Sequence, residues 1–162
     1  MKVLYVVRHA KSSWENTDLS DFERPLNERG EKDAPRMGKR LKERGVLPDI
    51  IYASPAIRAW TTAVTIAKIL GYDAQGIQSE RKLYHADENV LLQSVRHISE
   101  SIDSVMMVGH NPGLTEFVND LLEDNIENIP TAGVVAAQLR IDSWKKADWK
   151  CGELVFFDFP KK

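Results

Sequence analysis

Short apolar runs alternate with segments of helical periodicity along most of the chain. The run from Val3 to Val7 is continuous and rich in β-branched residues, which is typical of a strand buried on both faces of a parallel sheet. Comparable patterns predict further strands at residues 49–53, 74–78 and 104–108, and helices at residues 28–44, 55–70, 87–98 and 114–122. Such alternation favours a mainly parallel sheet that helices cover on both faces.

Prolines and a capping residue refine the predicted bounds of the first two helices. Pro35 lies inside the first helical segment and predicts a kink or a late helix start there. Ser54 is a good N-cap and Pro55 suits the first helical position, so we expect the second helix to start at residue 55. Residues 11–26 are polar and irregular, and loops of this length are often functional.

The chain ends with two segments of strand-like alternation, at residues 138–142 and 153–159, which predict a hairpin. No internal repeat and no linker rich in Gly, Pro or Ser divides the chain. We therefore predict a single domain over residues 1–162, of the α/β class. Its expected architecture is three layers, α/β/α, around a mixed, mainly parallel central sheet.

Composition narrows the class of protein. Hydrophobic residues make up 43% of the 162 residues and charged residues 28%, as in globular proteins. The 22 basic and 24 acidic residues give a net charge of −2, which argues against non-specific nucleic-acid binding. Cys151 is the only cysteine, so an intramolecular disulfide is excluded. Because neither a signal-peptide core nor an apolar stretch of membrane-spanning length is visible, we expect a cytoplasmic protein without a membrane partner.

The first two candidate sites lie where a strand ends and where a helix begins, the edge at which α/β sheets bind ligands. Arg8 and His9 directly follow the first predicted strand, where basic side chains are costly unless an anionic or polar group meets them. Arg58 lies in the first turn of the second predicted helix, where a cation opposes the helix dipole. Thr62 lies four residues later on the same helix face.

The third candidate is His110, in a turn that begins with Gly109 and ends with Gly113, between a predicted strand and a predicted helix. Free backbone N–H groups at a helix start favour an anion. Taken singly, each of the three places also fits a structural role: a strand reaching solvent, an incidental arginine on a capped helix, or a satisfied histidine in a tight turn.

Together, the three places bring two arginines and two histidines to one sheet edge, a set suited to a tetrahedral oxyanion. Arginine binds phosphate oxygens in bidentate fashion. One neutral imidazole can attack phosphorus as a covalent nucleophile. A second histidine can donate a hydrogen bond and stabilise the charge that develops in the transition state.

On these residues the chain resembles the histidine phosphatase superfamily, also called phosphoglycerate mutase-like, and within it the short SixA-like phosphohistidine phosphatase branch. Its Arg-His-Gly motif corresponds to Arg8-His9-Ala10, its Ser-Pro-x-x-Arg-x-x-x-Thr motif to residues 54–62, and its second histidine to His110. Further matches are Arg24-Pro25-Leu26 with Gly30, and Leu83-Tyr84. The resemblance extends from Lys2 to about Leu122.

The resemblance implies a role for each matched residue and a mixed, mainly parallel sheet between helices. His9 would be the nucleophile and the transient phosphohistidine, Arg8 and Arg58 would bind the phosphoryl oxygens, and His110 would be their electrostatic partner. No metal and no organic cofactor would be needed. We also expect three neighbouring residues to bind substrate: Lys11, Ser12 and Asn111.

Two departures from the family pattern bear on function. Ala10 replaces the usual glycine and would be strained if that position needed a positive φ. The acid that many relatives place beyond the second arginine has no assigned counterpart, and the nearby candidates are expected to be solvated surface residues: Asp21, Glu23, Glu80, His85 and Asp87. A missing acid would fit phosphohistidine, whose leaving group needs less help than an alkoxide.

The sequence thus predicts a metal-independent phosphatase whose partner is a phosphorylated protein, with phosphohistidine as substrate. Alternatives with the same residues are a phosphatase of small phosphate esters or nucleotides, and a phosphate-binding module without turnover. A metallohydrolase is disfavoured because the neighbours of His9 and His110 are not acids. The residue pattern is compatible with a monomer or a small homo-oligomer.

Overall fold

The computed structural model describes all residues from Met1 to Lys162. It contains one six-stranded sheet and four α-helices. The strands are β1 (Lys2–Arg8), β2 (Ile50–Ala53), β3 (Gln78–Ser79), β4 (Ser104–Gly109), β5 (Val134–Leu139) and β6 (Gly152–Asp158). The helices are α1 (Glu28–Glu43), α2 (Ile57–Leu70), α3 (Glu88–Arg96) and α4 (Gly113–Leu122). None of these helices combines the length and the apolar character that crossing a membrane requires.

The sheet is mixed and mainly parallel, as the sequence predicts. Its strand order is β3-β2-β4-β1-β5-β6. The pairs β1–β4, β2–β4 and β2–β3 are parallel, whereas β5 runs antiparallel to both β1 and β6. Because β1, β2 and β4 run in the same direction, their carboxyl ends meet at one edge of the sheet.

Two hydrophobic cores lie on opposite faces of the sheet. Helices α3 and α4 contribute to one cluster of 19 buried residues, and α1 and α2 contribute to the other, also of 19. The neighbouring residues Val6 and Val7 of β1 belong to different clusters, since successive side chains of a strand point to opposite faces. This arrangement confirms the predicted three-layer α/β/α class and the prediction that β1 is buried on both faces.

The start predicted for α2 and the extent predicted for the third strand are wrong. Helix α1 starts at Glu28, as predicted, and the Asn27 side chain caps it by accepting the Gly30 N–H at 2.8 Å. The helix includes Pro35, which excludes a late start there, and the kink at Pro35 stays a prediction. Helix α2 starts at Ile57 instead of residue 55. Residues 74–76 form a 3₁₀ turn instead of a strand, and β3 is limited to residues 78–79.

The first strand of the C-terminal hairpin also starts earlier than predicted, at Val134 instead of residue 138. Strand β5 lies between β1 and β6, so Val134 to Ala137 are buried on both faces and lack the alternation of apolar and polar residues that indicates a half-exposed strand. The predicted hairpin itself is confirmed, because β5 and β6 pair antiparallel.

Gly30 in α1 lies directly against the loop that follows β1, and we predict that Gly30→Ala destabilises the protein. A Cβ at this position would collide with the backbone carbonyl oxygen of Lys11, and backbone atoms cannot rotate away as a side chain can. We expect a loss of about 2–3 kcal/mol in the free energy of unfolding, measured by urea denaturation. The control is Gly38→Ala in the same helix, whose Cβ would meet only the Ile69 side chain. Equal losses in the two variants would contradict this account.

Candidate active site

The four predicted catalytic side chains meet at the carboxyl edge of the parallel strands. Arg8 ends β1 and His9 follows it, His110 follows β4, and Arg58 lies in the first turn of α2. They line one cavity of about 530 Å³. The complete lining is Arg8, His9, Lys11, Ser12, Trp14, Asp21, Arg24, Arg58, His85, His110, Asn111 and Thr131.

His9 is held by its backbone and by one ring nitrogen. Its N–H donates to the Gly109 carbonyl, and its own carbonyl accepts the Ala132 N–H, each at 3.0 Å. The ring Nδ1 lies 2.7 Å from the Ala10 carbonyl oxygen. A carbonyl can only accept, so Nδ1 carries the proton and Nε2 carries the lone pair. This tautomer is the one that a nucleophilic Nε2 requires.

His110 has the opposite ring nitrogen engaged. Its Nε2 lies 2.8 Å from the Ser54 hydroxyl, which also accepts the Ala56 N–H at 3.3 Å. The hydroxyl can donate its proton to Nε2, and in that tautomer the proton of His110 is on Nδ1. Nδ1 is buried and has no partner in the protein. In this tautomer Nδ1 is a hydrogen-bond donor that the protein leaves free for a bound group. Ser54 contacts this ring instead of acting as the predicted N-cap, since α2 is capped at Ala56.

Arg8 and Arg58 each have terminal nitrogens bonded to protein and a buried Nε without a partner. Arg8 donates through Nη1 to the Ile129 carbonyl at 2.9 Å. Arg58 donates through Nη1 to the Asp21 carbonyl at 2.6 Å and through Nη2 to Asp21 Oδ2 at 2.9 Å. Burial lowers the pKa of Arg8. Two buried guanidinium donors left unpaired are expected where an anion binds.

Asp21 connects the cavity-lining groups of the loop at residues 11–26 with those of α2. Its carboxylate accepts hydrogen bonds from Arg58 Nη2, from Arg24 Nη2 at 3.0 Å and from the Tyr84 hydroxyl at 2.7 Å. Arg24 is itself buried and donates to the Ser12 hydroxyl at 2.6 Å. The expectation that Asp21 is a solvated surface residue is therefore wrong. Two of its three partners, Arg58 and Tyr84, lie far away in the sequence, so only its place in a polar loop near Arg24 could have indicated it.

The ionisation of Asp21 follows from these bonds. Burial would raise the pKa of its carboxyl, but the hydrogen bonds from Tyr84, Arg24 and Arg58 outweigh burial and lower that pKa below its usual range. Asp21 is thus a carboxylate at any pH near neutrality.

The motif residues Ala10 and Thr62 join the loop after β1 to α2. Thr62 Oγ1 donates to the Arg58 carbonyl at 2.7 Å and accepts the Ala10 N–H at 3.0 Å. Ala10 is fully buried and is not among the residues with a positive φ. The alanine at this position is therefore unstrained.

The three predicted substrate-binding residues all line the cavity. Lys11 is exposed, and Ser12 accepts a hydrogen bond from Arg24. The amide of Asn111 is engaged in its own turn, since it donates to the Ile129 carbonyl and accepts the Thr115 hydroxyl.

Of the other candidate acids, only His85 lines the cavity, whereas three cap or close local turns. Glu23 closes the 3₁₀ turn at residues 21–23, Glu80 caps the 3₁₀ turn at residues 81–83, and Asp87 caps α3. No group of three or more His, Cys, Asp or Glu side chains is placed to hold a metal ion.

His9 and His110, the two buried histidines of the cavity, are neutral near pH 7. Burial lowers the pKa of His9 to about 4. The hydrogen bond to Ala10 raises this pKa, whereas the charges of Arg58 and Arg8 lower it further. Burial also lowers the pKa of His110 to about 3, and the charges of His9 and Arg58 add to this. The imidazole of His9 therefore keeps its lone pair at physiological pH.

These depressed pKa values predict that the fold loses stability as the pH falls. In the unfolded chain a histidine binds a proton near pH ~6.5, whereas the folded chain binds these two protons only near pH 4 and below. At pH 5 the unfolded state holds more protons, so each histidine lowers the free energy of unfolding by about 2 kcal/mol relative to pH 7.5. Urea denaturation in phosphate-free buffer measures this loss. The double variant His9→Asn/His110→Asn should lose less stability over the same range, and an unchanged pH dependence would contradict the prediction.

Comparisons with known proteins identify the family of the chain. The model of the histidine phosphatase superfamily (branch 1) matches residues 4–84. An uncharacterized chloroplastic protein of Arabidopsis thaliana is 29% identical over 152 residues, which are 89% of this chain and 69% of the relative. A crystal structure from Agrobacterium tumefaciens, assigned to the phosphohistidine phosphatase SixA, superimposes with a TM-score of 0.82 at 27% identity over 98% of both chains.

A second solved structure, the protein histidine phosphatase SixA complexed with tungstate, has a TM-score of 0.83 at 19% identity over 98% of this chain and 97% of its own. The residues that the family model matches include Arg8, His9 and Arg58. The chain therefore belongs to the histidine phosphatase superfamily, in its SixA-like branch.

Proposed function

We propose that the protein is a metal-independent phosphatase that works through a phosphohistidine on His9. The observation that carries this proposal is the His9 ring itself. Its Nδ1 is bonded to the Ala10 carbonyl, so a neutral Nε2 is left as nucleophile in a cavity lined by three arginines.

In the first step, Nε2 of His9 forms a bond to phosphorus while the bond from phosphorus to the leaving group breaks. Arg8 and Arg58 bind the phosphoryl oxygens through the guanidinium groups whose Nε atoms lack a protein partner. Nδ1 of His110 donates to an oxygen whose charge grows in the transition state. In the second step, water attacks the phosphohistidine and releases phosphate.

The arginines supply the positive charge that a metal ion supplies in other phosphatases. Arg8, Arg24 and Arg58 line the cavity together, with Asp21 as the one carboxylate among the lining residues. The excess of positive charge favours a dianionic phosphoryl group.

We propose a phosphohistidine side chain of a protein as the substrate. The similarity to SixA structures, one of which is complexed with the oxyanion tungstate, supports a phosphoryl group as the part of the substrate that is bound. Lys11 and Trp14 are exposed at the cavity, where they can contact a macromolecule that carries the phosphoryl group. The same residues would also serve a small phosphate ester.

The test compares kcat/KM for two peptides of one sequence, one carrying phosphohistidine and the other phosphoserine, with EDTA present. We expect a preference of ~10²-fold for phosphohistidine. A preference for phosphoserine or a small ester would retain the mechanism and overturn the substrate. Tight binding without release of phosphate would indicate a binding module, and loss of activity in EDTA would indicate a metallohydrolase.

A further inference from the structure

The segment between β3 and α3 places a third histidine, His85, at the cavity. It lines the same space as His9 and His110, but its side chain is 69% exposed. His85 therefore stands on the solvent side of the two buried rings, where the part of a substrate beyond its phosphoryl group would lie.

The backbone of His85 is held in an uncommon conformation. Its φ is 57°, in the left-handed region that costs energy for residues other than glycine and persists only where the surroundings enforce it. Contacts of the residues on either side hold His85 in this conformation. The Tyr84 hydroxyl is bonded to Asp21, and Asp87 caps α3. The Ala86 carbonyl lies so close to Gly113 that a Cβ there would collide with it.

Charged and aromatic groups face the His85 ring. Its Nε2 lies 3.9 Å from Asp21 Oδ2, and its ring centroid lies 4.0 Å from that of Tyr84. His110 is close enough for the charge of His85 to lower the pKa of His110. Arg58 donates to the same Asp21 Oδ2. Asp21 is the one carboxylate among the residues that line the cavity, so it is the anion nearest to this ring.

We propose that His85 is the acid that protonates the leaving group, a role that rests on the phosphatase function proposed above. As the bond from His9 Nε2 to phosphorus forms, the bond from phosphorus to the leaving atom breaks and its electron pair stays on that atom. In an ester, the proton passes from His85 to this oxygen. In phosphohistidine, it passes to the ring nitrogen not bonded to phosphorus, so that the ring leaves as neutral imidazole. Neutral His85 then takes a proton from the attacking water in the second step.

None of the other histidines and carboxylates that line the cavity fits this role as well. His9 is occupied as the nucleophile, and His110 is buried and neutral. Asp21 remains ionised because three donors bind it. Histidine is the side chain that ordinarily gains and loses a proton between pH 5 and 8.

The test is His85→Asn, since asparagine tolerates the left-handed backbone but cannot donate a proton as an acid. We expect kcat/KM to fall ~10²-fold for phenyl phosphate, a poor leaving group. For 4-nitrophenyl phosphate, whose leaving group needs little protonation, the fall should be less than ~5-fold. His85→Gly, which also accepts this backbone, should regain phenyl phosphate turnover when imidazole is added.

The matched control is His97→Asn, at the C-terminal end of α3 and outside the cavity, which should leave both rates unchanged. Equal losses on the two esters in His85→Asn, or no loss on either, would overturn the role of His85 and leave the phosphatase function in place. If the wild-type protein hydrolyses neither ester nor a phosphohistidine peptide, the proposed function fails and this role fails with it.

Discussion

His9→Ala is expected to abolish phosphoryl transfer, with a loss of at least ~10⁴-fold in kcat. The nucleophile is removed while the arginines and His110 remain, so the substrate can still bind but no covalent intermediate can form. Rapid-quench labelling with a ³²P-phosphohistidine peptide in EDTA measures the intermediate directly. Wild-type protein should carry a label that is labile in acid and stable in alkali, and His9→Ala should carry none.

His97→Ala is the control for this experiment, because His97 is an exposed histidine outside the cavity. It should be labelled as strongly as wild-type protein. Turnover that survives His9→Ala unchanged would sink the mechanism. Label from small phosphate esters but not from the peptide would retain the mechanism and change the substrate.

Arg58→Lys should lower kcat/KM by ~10²–10³-fold, even though the charge is retained. Lysine has no counterpart of the buried, unpartnered Nε. It also cannot reproduce the two-nitrogen contact with the carbonyl and carboxylate of Asp21. The loss should fall mainly on kcat if Arg58 binds the oxygens most tightly in the transition state.

Separate values of kcat and KM, with the affinity for inorganic phosphate as a binding readout, check this result. Arg140→Lys is the matched control, because Arg140 is an exposed residue paired with Glu153 on the C-terminal hairpin. Kinetics of Arg58→Lys that match those of Arg140→Lys would show that Arg58 only supports the fold.

Asp21 contacts two buried arginines and lies near the proposed acid, so it bears on both the stability of the fold and the proposed reaction. Asp21 bridges the loop at residues 11–26 and helix α2, and its partner Tyr84 lies next to His85. One carboxylate therefore holds Arg58, which is proposed to bind phosphate, and lies 3.9 Å from the proposed acid. Exposed ion pairs contribute little, but Arg58 is buried, so an unpaired Arg58 guanidinium would be costly.

Local patterns in the sequence were enough to predict the α/β architecture and the four residues that meet in the cavity: Arg8, His9, Arg58 and His110. A continuous apolar run rich in β-branched residues is typical of a strand buried on both faces, so β1 was predictable, as was the position of Arg8 and His9 at its end. The turn that contains His110 was also recognisable, because its glycines directly follow an apolar run in the sequence. Strand β5 lacked a distinctive pattern because burial on both faces removes alternation.

Only the tertiary structure decided the states of the site residues. The tautomer of His110 depends on Ser54, which lies 56 residues away in the chain, and the ionisation of Asp21 depends on Tyr84, 63 residues away. Periodicity and turn chemistry act over a few residues, whereas hydrogen bonds and desolvation depend on what the fold brings into contact. The sequence therefore identified the side chains that meet at the sheet edge, and the packing of that edge against its loops decided which of their atoms lack a protein partner.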